Sequence, residues 1–296
     1  MKKRAFLYVI LAGIFWGTAG VFGQILPPYG FTPFQITAIR GTVSCLCILV
    51  YALIKDRQLF RVKPADLLLY LGIGISLFGT SACYYVAMQL TSISTAVVLM
   101  YMSPVYVMAF SVLFFGEKLS GIKLISVVCV LIGGALVSGI TNGMAFDAFG
   151  IFMAVLSGVA YGAYNILTKV SMRRNNSPIT TTAYSFMFMS VIALSVCEPI
   201  KIVENTAKEP MTLVPMLLAL GVVTFVLPYF LFTLGMRDLP AGTASSLSVV
   251  EPMTATLFSI FIFGEKLTAF SALGIVLILA SVVVLSRVDK EKQEIK

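Results

Sequence analysis

The chain has 296 residues, 59% of them hydrophobic and only 11% charged, and its mean hydropathy is +0.98; soluble domains carry about 25% charge, so a soluble globular protein is excluded. The net charge of +8, from 21 Lys/Arg and 13 Asp/Glu, does not call for nucleic acid, because the basic residues sit in short loops at the ends of apolar runs, the topogenic pattern of a membrane protein. Histidine is absent, which excludes His-based proton relays and argues against zinc or nickel cargo. The five cysteines (Cys45, Cys47, Cys83, Cys129 and Cys197) all fall in apolar runs without metal spacing, so they read as small buried hydrophobes, and no metal or cofactor is expected.

Apolar segments of about twenty residues, the length that crosses roughly 30 Å of hydrocarbon, recur along the whole chain. Met1-Lys2-Lys3-Arg4 opens the first, over 5–26; that run is too long for a signal-peptide core and reads as an uncleaved span. The others are predicted at 33–54, 66–88, 93–115, 121–140, 148–169, 178–198, 212–235, 242–263 and 268–286. Helix stops and starts separate them: Pro27-Pro28-Tyr29-Gly30, Thr141-Asn142-Gly143, Ser177-Pro178 and Leu239-Pro240-Ala241-Gly242. With the N-terminus inside, the inner segments hold 17 Lys/Arg and the outer ones three (Lys201, Lys208 and Lys266), so both termini are expected in the cytoplasm.

Residues 95–119, TAVVLMYMSPVYVMAFSVLFFGEKL, return at 243–267 as TASSLSVVEPMTATLFSIFIFGEKL. The offset is 148 and 11 of 25 positions are identical. A fainter repeat at an offset of 145 relates Leu11, Gly13, Trp16 and Gly17 to Leu156, Gly158, Tyr161 and Gly162. Five spans per half is an odd number, so the second half enters from the opposite side: an inverted-topology repeat, 5–140 and 148–286, the architecture of alternating-access carriers. The expected fold is thus an all-α integral membrane domain of ten transmembrane helices in two inverted five-helix repeats.

These features resemble the EamA-domain branch of the drug/metabolite transporter superfamily. The resemblance runs along the full chain and rests on the ten-span layout, the two GEKL-ending segments, Trp16-Gly17 in span one and Arg40 early in span two. It implies a central cavity between the two halves, no bound cofactor, and export of amino acids or other metabolites. A bacterial cytoplasmic membrane setting is expected, as a monomer or a homodimer.

The candidate transport residues follow from chemistry at depth. Glu251 is the one carboxylate deep in a predicted span, roughly 14 Å in at 1.5 Å per residue; such a group normally faces a cavity or a partner. Its readings are a counter-charge for an amine, a proton-coupling carboxylate, or a structural partner of Arg40. Arg40, roughly 11 Å deep, either braces carbonyls or Glu251, or grips a substrate carboxylate. Pro104 and Pro252 occupy equivalent positions in the two copies and free the carbonyls of Met100 and Ser248. Trp16 and its twin Tyr161, with Tyr84, Tyr101, Tyr164, Asn165 and Tyr229, offer aromatic faces and neutral hydrogen-bonding groups for a pocket; core or lipid packing is the competing reading for each. Gly13-x-x-x-Gly17 and Gly158-x-x-x-Gly162 read as helix-packing motifs.

No cluster of cations suits phosphate, no Walker motif binds ATP, and no nucleophile–base set supports an intramembrane enzyme. The expected function is secondary export of amino acids or related zwitterions. Proton-coupled efflux of organic cations through Glu251 is the alternative.

Overall fold

The computed structural model describes residues 2–55, 62–103, 147–174, 176–236 and 250–294, with isolated positions between 106 and 136. Most of predicted span five, the second half of span four, the start of span nine, residues 116–119 and the site candidates Pro104 and Ser248 therefore lie outside the described residues.

Every described element is helical. Span one is two helices, α1 (Lys2–Gly17) and α2 (Ala19–Ile25). They are followed by a 3-10 turn, Pro27–Tyr29, that ends on Gly30 at φ 88°, where glycine carries no Cβ penalty. Next come α3 (Pro33–Lys55), α4 (Pro64–Leu90) and α5 (Ile93–Met100). The second half supplies α6 (Ala148–Arg173), α7 (Pro178–Val196), a short connecting helix α8 (Pro199–Lys208), α9 (Pro210–Gly221) and α10 (Leu227–Met236), then α11 (Val250–Phe263) and α12 (Ala269–Glu294). A π-helical turn, Val222–Val226, joins α9 to α10. Among the described residues, six helical stretches are long and apolar enough to cross a membrane: Arg4–Tyr29, Pro33–Tyr51, Pro64–Leu90, Ala148–Thr168, Ile179–Val196 and Pro210–Phe232. Val250–Phe263 and Ala272–Ser281 are shorter apolar helices.

Local chemistry sets the boundaries. Proline stands at the first turn of α4, α7, α8 and α9, where its missing N–H costs nothing. Thr32 and Gln35 form a reciprocal capping box at the start of α3, with the Thr32 N–H on Gln35 Oε1 at 3.0 Å and the Gln35 N–H on Thr32 Oγ1 at 3.3 Å. Ser92 caps α5 by accepting the Thr95 N–H at 3.1 Å. Inside the spans, Thr37, Ser44, Ser76, Thr80, Ser185, Ser190 and Thr254 donate to carbonyls four residues earlier, satisfying their hydroxyls where water is excluded. Outward-facing Leu46, Ile75, Phe152, Val191, Leu218, Phe261 and Val276 are exposed, as expected of a surface that meets lipid.

The helices pair in a pattern with internal symmetry. α4 packs along α6 and α7, α1 along α10 and α11, α3 along α7 and α9, and α5 against α6 and α11. Exchanging span one with α6, α3 with α7, α4 with α9–α10, and α5 with α11 returns the same set of pairs. Small residues permit these approaches. A Cβ on Gly17 would lie 2.8 Å from Thr254 Cβ and 3.1 Å from the Ala255 backbone nitrogen, so α1 and α11 touch backbone to backbone. Gly158, the twin of Gly13, has the Met100 and Leu99 carbonyls at 2.9 and 3.2 Å from where its Cβ would stand. Gly17→Ala is accordingly expected to cost about 1–3 kcal/mol, read as a lower thermal unfolding midpoint in detergent; an unchanged midpoint would show that the α1–α11 seam has slack.

Among the described residues the symmetry is broken in span one, as it is where the π-turn interrupts the counterpart of the continuous α4. Span one is interrupted at Thr18, whose hydroxyl donates to the Phe15 carbonyl at 2.6 Å, whereas α6 runs unbroken from Ala148 to Arg173. Beyond that break α2 leans onto α4, where Gly23 meets Tyr85 and Met88, and onto α5, where Gly20 meets Ile93. At the end of the bundle that carries the N-terminus, Arg174 after α6 pairs with buried Asp66 at the start of α4 at 3.3 Å. At the far end, the Asn205 amide of α8 donates to the Gly30 carbonyl at 2.9 Å.

Candidate functional site

Five helices bring aromatic and acidic side chains to the middle of the bundle. The Tyr101 hydroxyl, just past α5, donates to Glu251 Oε2 at 2.5 Å, tying the two copies of the repeated segment together. Tyr101 is buried; Glu251 is only half-buried, although α1 and α5 flank its helix. The Tyr101 ring faces Tyr161 at 6.1 Å, and Tyr161 stacks with Tyr164 one turn along α6 at 6.0 Å and 12°. Asn165, exposed on the same helix, interacts through its amide with the Tyr161 hydroxyl. Across from them, the Tyr164 and Tyr229 hydroxyls interact, and Tyr229 packs edge-on against Trp16 at 5.3 Å and 82°. Trp16, Tyr161, Tyr164, Tyr229 and Glu251 are all only partly buried at the centre of the protein. Rings and a carboxylate that retain accessible surface there are the candidates to line a space between the helices.

Arg40 stands one layer behind. It is 8% exposed and extends one guanidinium nitrogen to Ser81 Oγ at 3.2 Å and another to the Thr224 carbonyl at 2.9 Å. Its Cζ lies 4.3 Å from the centroid of the Phe225 ring. It makes no ion pair with Glu251, so the structural pairing considered from sequence is not formed. The buried hydroxyl of Tyr85 interacts with the Arg40 side chain. The carbonyl it holds belongs to the π-turn. Pro228 has no N–H to give Thr224, and Ser44 reaches the adjoining Gly221 carbonyl at 3.3 Å. Arg40 thus replaces the main-chain donor that Pro228 cannot supply to Thr224.

Tyr84 is buried in the core against Tyr85, with its hydroxyl 3.4 Å from the place of a Gly20 Cβ, so it packs α4 on α2 and does not line the space. Pro252 is buried in the first turn of α11. Phe225 and Phe186, at 4.4 Å from each other, are buried behind Tyr229, and Phe232 lies 5.4 Å from Trp16. Sequence reasoning passed over them because aromatic residues are common in all these spans. Pro228 was the available pointer to the carbonyl that Arg40 takes. Among the described residues, no group of three or more Cys, Asp or Glu is placed to hold a metal.

Repeated helices of membrane-spanning length and apolarity define a polytopic membrane protein. The model of the EamA-like transporter family matches residues 3–139 and again 148–287, and the chain belongs to that family. A transporter from Archaeoglobus fulgidus is 31% identical over 93% of this chain and 94% of its own. The transporter YwfM of Bacillus subtilis is 27% identical over 97% and 95%. The threonine/homoserine exporter RhtA of Salmonella typhimurium is 26% identical over 83% of this chain and 79% of its own. One solved crystal structure superposes with a TM-score of 0.61 over 97% of this chain and 100% of its own, at 18% identity, a likeness of fold. The protein is a multi-pass membrane transporter with relatives in bacteria and archaea.

Proposed function

We propose that the chain is a secondary active exporter of small zwitterionic metabolites, amino acids foremost, working by alternating access between two inverted five-span halves with both termini in the cytoplasm. The observation that carries this reading is Glu251, held by Tyr101 and facing an interior walled by rings from both halves. A substrate ammonium docks on that carboxylate and against the electron-rich faces of Tyr161 and Trp16. The substrate carboxylate is met by neutral donors (the indole N–H of Trp16, the tyrosine hydroxyls and the Asn165 amide), which bind it weakly enough to let it go. Three further observations support the reading: the exchange symmetry of the helix pairs, the family match in each half, and kinship with threonine/homoserine exporters.

The partners are then a small solute, the bilayer and, in the second reading, protons. That second reading is proton-coupled efflux of organic cations, favoured by the same carboxylate in its aromatic setting. The test is a thermal-shift screen of the purified protein against amino acids and against amines that lack a carboxylate, followed by flux in proteoliposomes. Stabilisation by amino acids that disappears in Trp16→Ala is the expected result. Stabilisation by simple amines alone would favour the cation reading, and full binding retained in Trp16→Ala would reject this site.

A further inference from the structure

The connection from Val196 to Pro210 joins the ends of two adjacent membrane-length helices, so it lies where hydrocarbon gives way to headgroups. Its helix α8, about 15 Å long, does not project from the bundle. Ile202 packs on the core beside Ala193 and Cys197, and Asn205 is buried against the loop at Gly30. At 100° per residue, Ile202, Asn205 and Thr206 form this inward face. A second face holds Lys201, Glu204 and Lys208. Between them runs an apolar strip of Ile200, Val203 and Ala207, with Ile200 73% and Val203 69% exposed. On the membrane-length helices that flank it, Val196, Met211 and Val214 are exposed as well. Facing water the strip would leave apolar area unburied at roughly 25 cal/mol per Å²; facing the acyl boundary it is relieved.

We propose that α8 is a bilayer-surface helix, its Ile200–Val203–Ala207 strip seated at the acyl boundary and Lys201, Glu204 and Lys208 among the headgroups. Lys201 pairs with Glu198 one turn earlier, and that hydrogen bond and charge hold its ammonium above the ordinary lysine range, so it stays charged at the surface. The inward face ties this lipid-seated element to the first half of the protein: Lys208 Nζ donates to Asn205 Oδ1 at 2.8 Å, and the Asn205 amide in turn holds the Gly30 carbonyl. The turn between the first two spans is thereby fastened to a helix whose depth the membrane sets.

The test uses the full chain with its five native cysteines replaced, reconstituted into bilayers of phosphatidylcholine with a minority of phosphatidylglycerol. Nitroxide labels are introduced by Ile200→Cys, Val203→Cys, Ala207→Cys, Lys201→Cys and Glu204→Cys. Labels at the first three positions are expected to relax several-fold more with lipid-soluble oxygen than with an aqueous nickel chelate, and those at 201 and 204 the reverse. Aqueous accessibility at all five positions would overturn the proposal. So would shielding of positions 200, 203 and 207 from both reagents, which would mean that a protein surface, such as a second copy, covers the strip.

Discussion

Glu251→Gln is expected to abolish substrate-dependent flux in proteoliposomes while leaving the protein folded. The substitution keeps size and hydrogen-bonding capacity, so the Tyr101 hydroxyl still finds an oxygen, but it removes the negative charge that faces the interior. Losing one partner of a desolvated charge pair costs on the order of 2–5 kcal/mol, more than tenfold in affinity at about 1.4 kcal/mol per decade. Tyr101→Phe is expected to produce a smaller loss, because it removes one charge-assisted hydrogen bond and leaves the carboxylate in place. The order of effects matters: if the carboxylate were purely structural, the glutamine variant would transport normally and Tyr101→Phe would be the more damaging change. Wild-type flux in Glu251→Gln would remove the carboxylate from the mechanism. Normal flux of neutral substrates with loss of amines alone would confine it to ammonium recognition.

The equivalence of Ser103 and Glu251 in the two copies has a mechanical consequence. Tyr101 lies two residues before Ser103 and reaches across to Glu251, so the charged position whose twin is neutral is gripped by a residue beside that twin. In the proposed export cycle a substrate ammonium competes with that hydroxyl for the same carboxylate, so that binding loosens a link between the halves, a differential interaction of the kind that lets a ligand shift a conformational equilibrium. The ends of the bundle differ in the same spirit. An ionic contact, Arg174 to Asp66, holds one end, and a neutral amide contact, Asn205 to Gly30, holds the other. The break at Thr18 and the unbroken α6 mark where the two halves occupy different shapes.

What could be read from sequence was what repeats or what is chemically rare. The aromatic pair Trp16 and Tyr161, the deep Glu251 and the glycines at 13, 17 and 158 were legible because each is conspicuous in an apolar run, and all of them lie at the interior or at helix seams. Tyr84 was not separable from Tyr229, because in a bundle that is hydrophobic on every face no periodicity says which side looks inward. Neither α8 nor the break in span one has a strong hydropathy signal: one is too short and mixed, and the other leaves the apolar run intact. Arg40 was visible as a buried cation, but its partners come from helices some 40 and 180 positions away in the chain, and only the fold brings them together.

Arg40→Leu is expected to lower the thermal unfolding midpoint more than any single aromatic truncation in the interior. It leaves the Thr224 carbonyl without its donor, about 1–3 kcal/mol for a buried group, and removes a desolvated cation from the Phe225 face, about 2 kcal/mol. Arg40→Lys keeps charge but presents a single point of donation, so it should fall between wild type and Arg40→Leu. The bracing role makes a sharper demand on Pro228. Pro228→Ala supplies the main-chain N–H that Thr224 would take in an ordinary helix, so it should recover part of the stability lost in Arg40→Leu while adding little to the wild type. The double-mutant coupling should be on the order of 1 kcal/mol or more, as for residues that share one hydrogen-bonding partner. Strictly additive effects would show that Arg40 does not serve the π-turn. Loss of substrate binding in Arg40→Lys without any change in the unfolding midpoint would place the guanidinium on the solute instead.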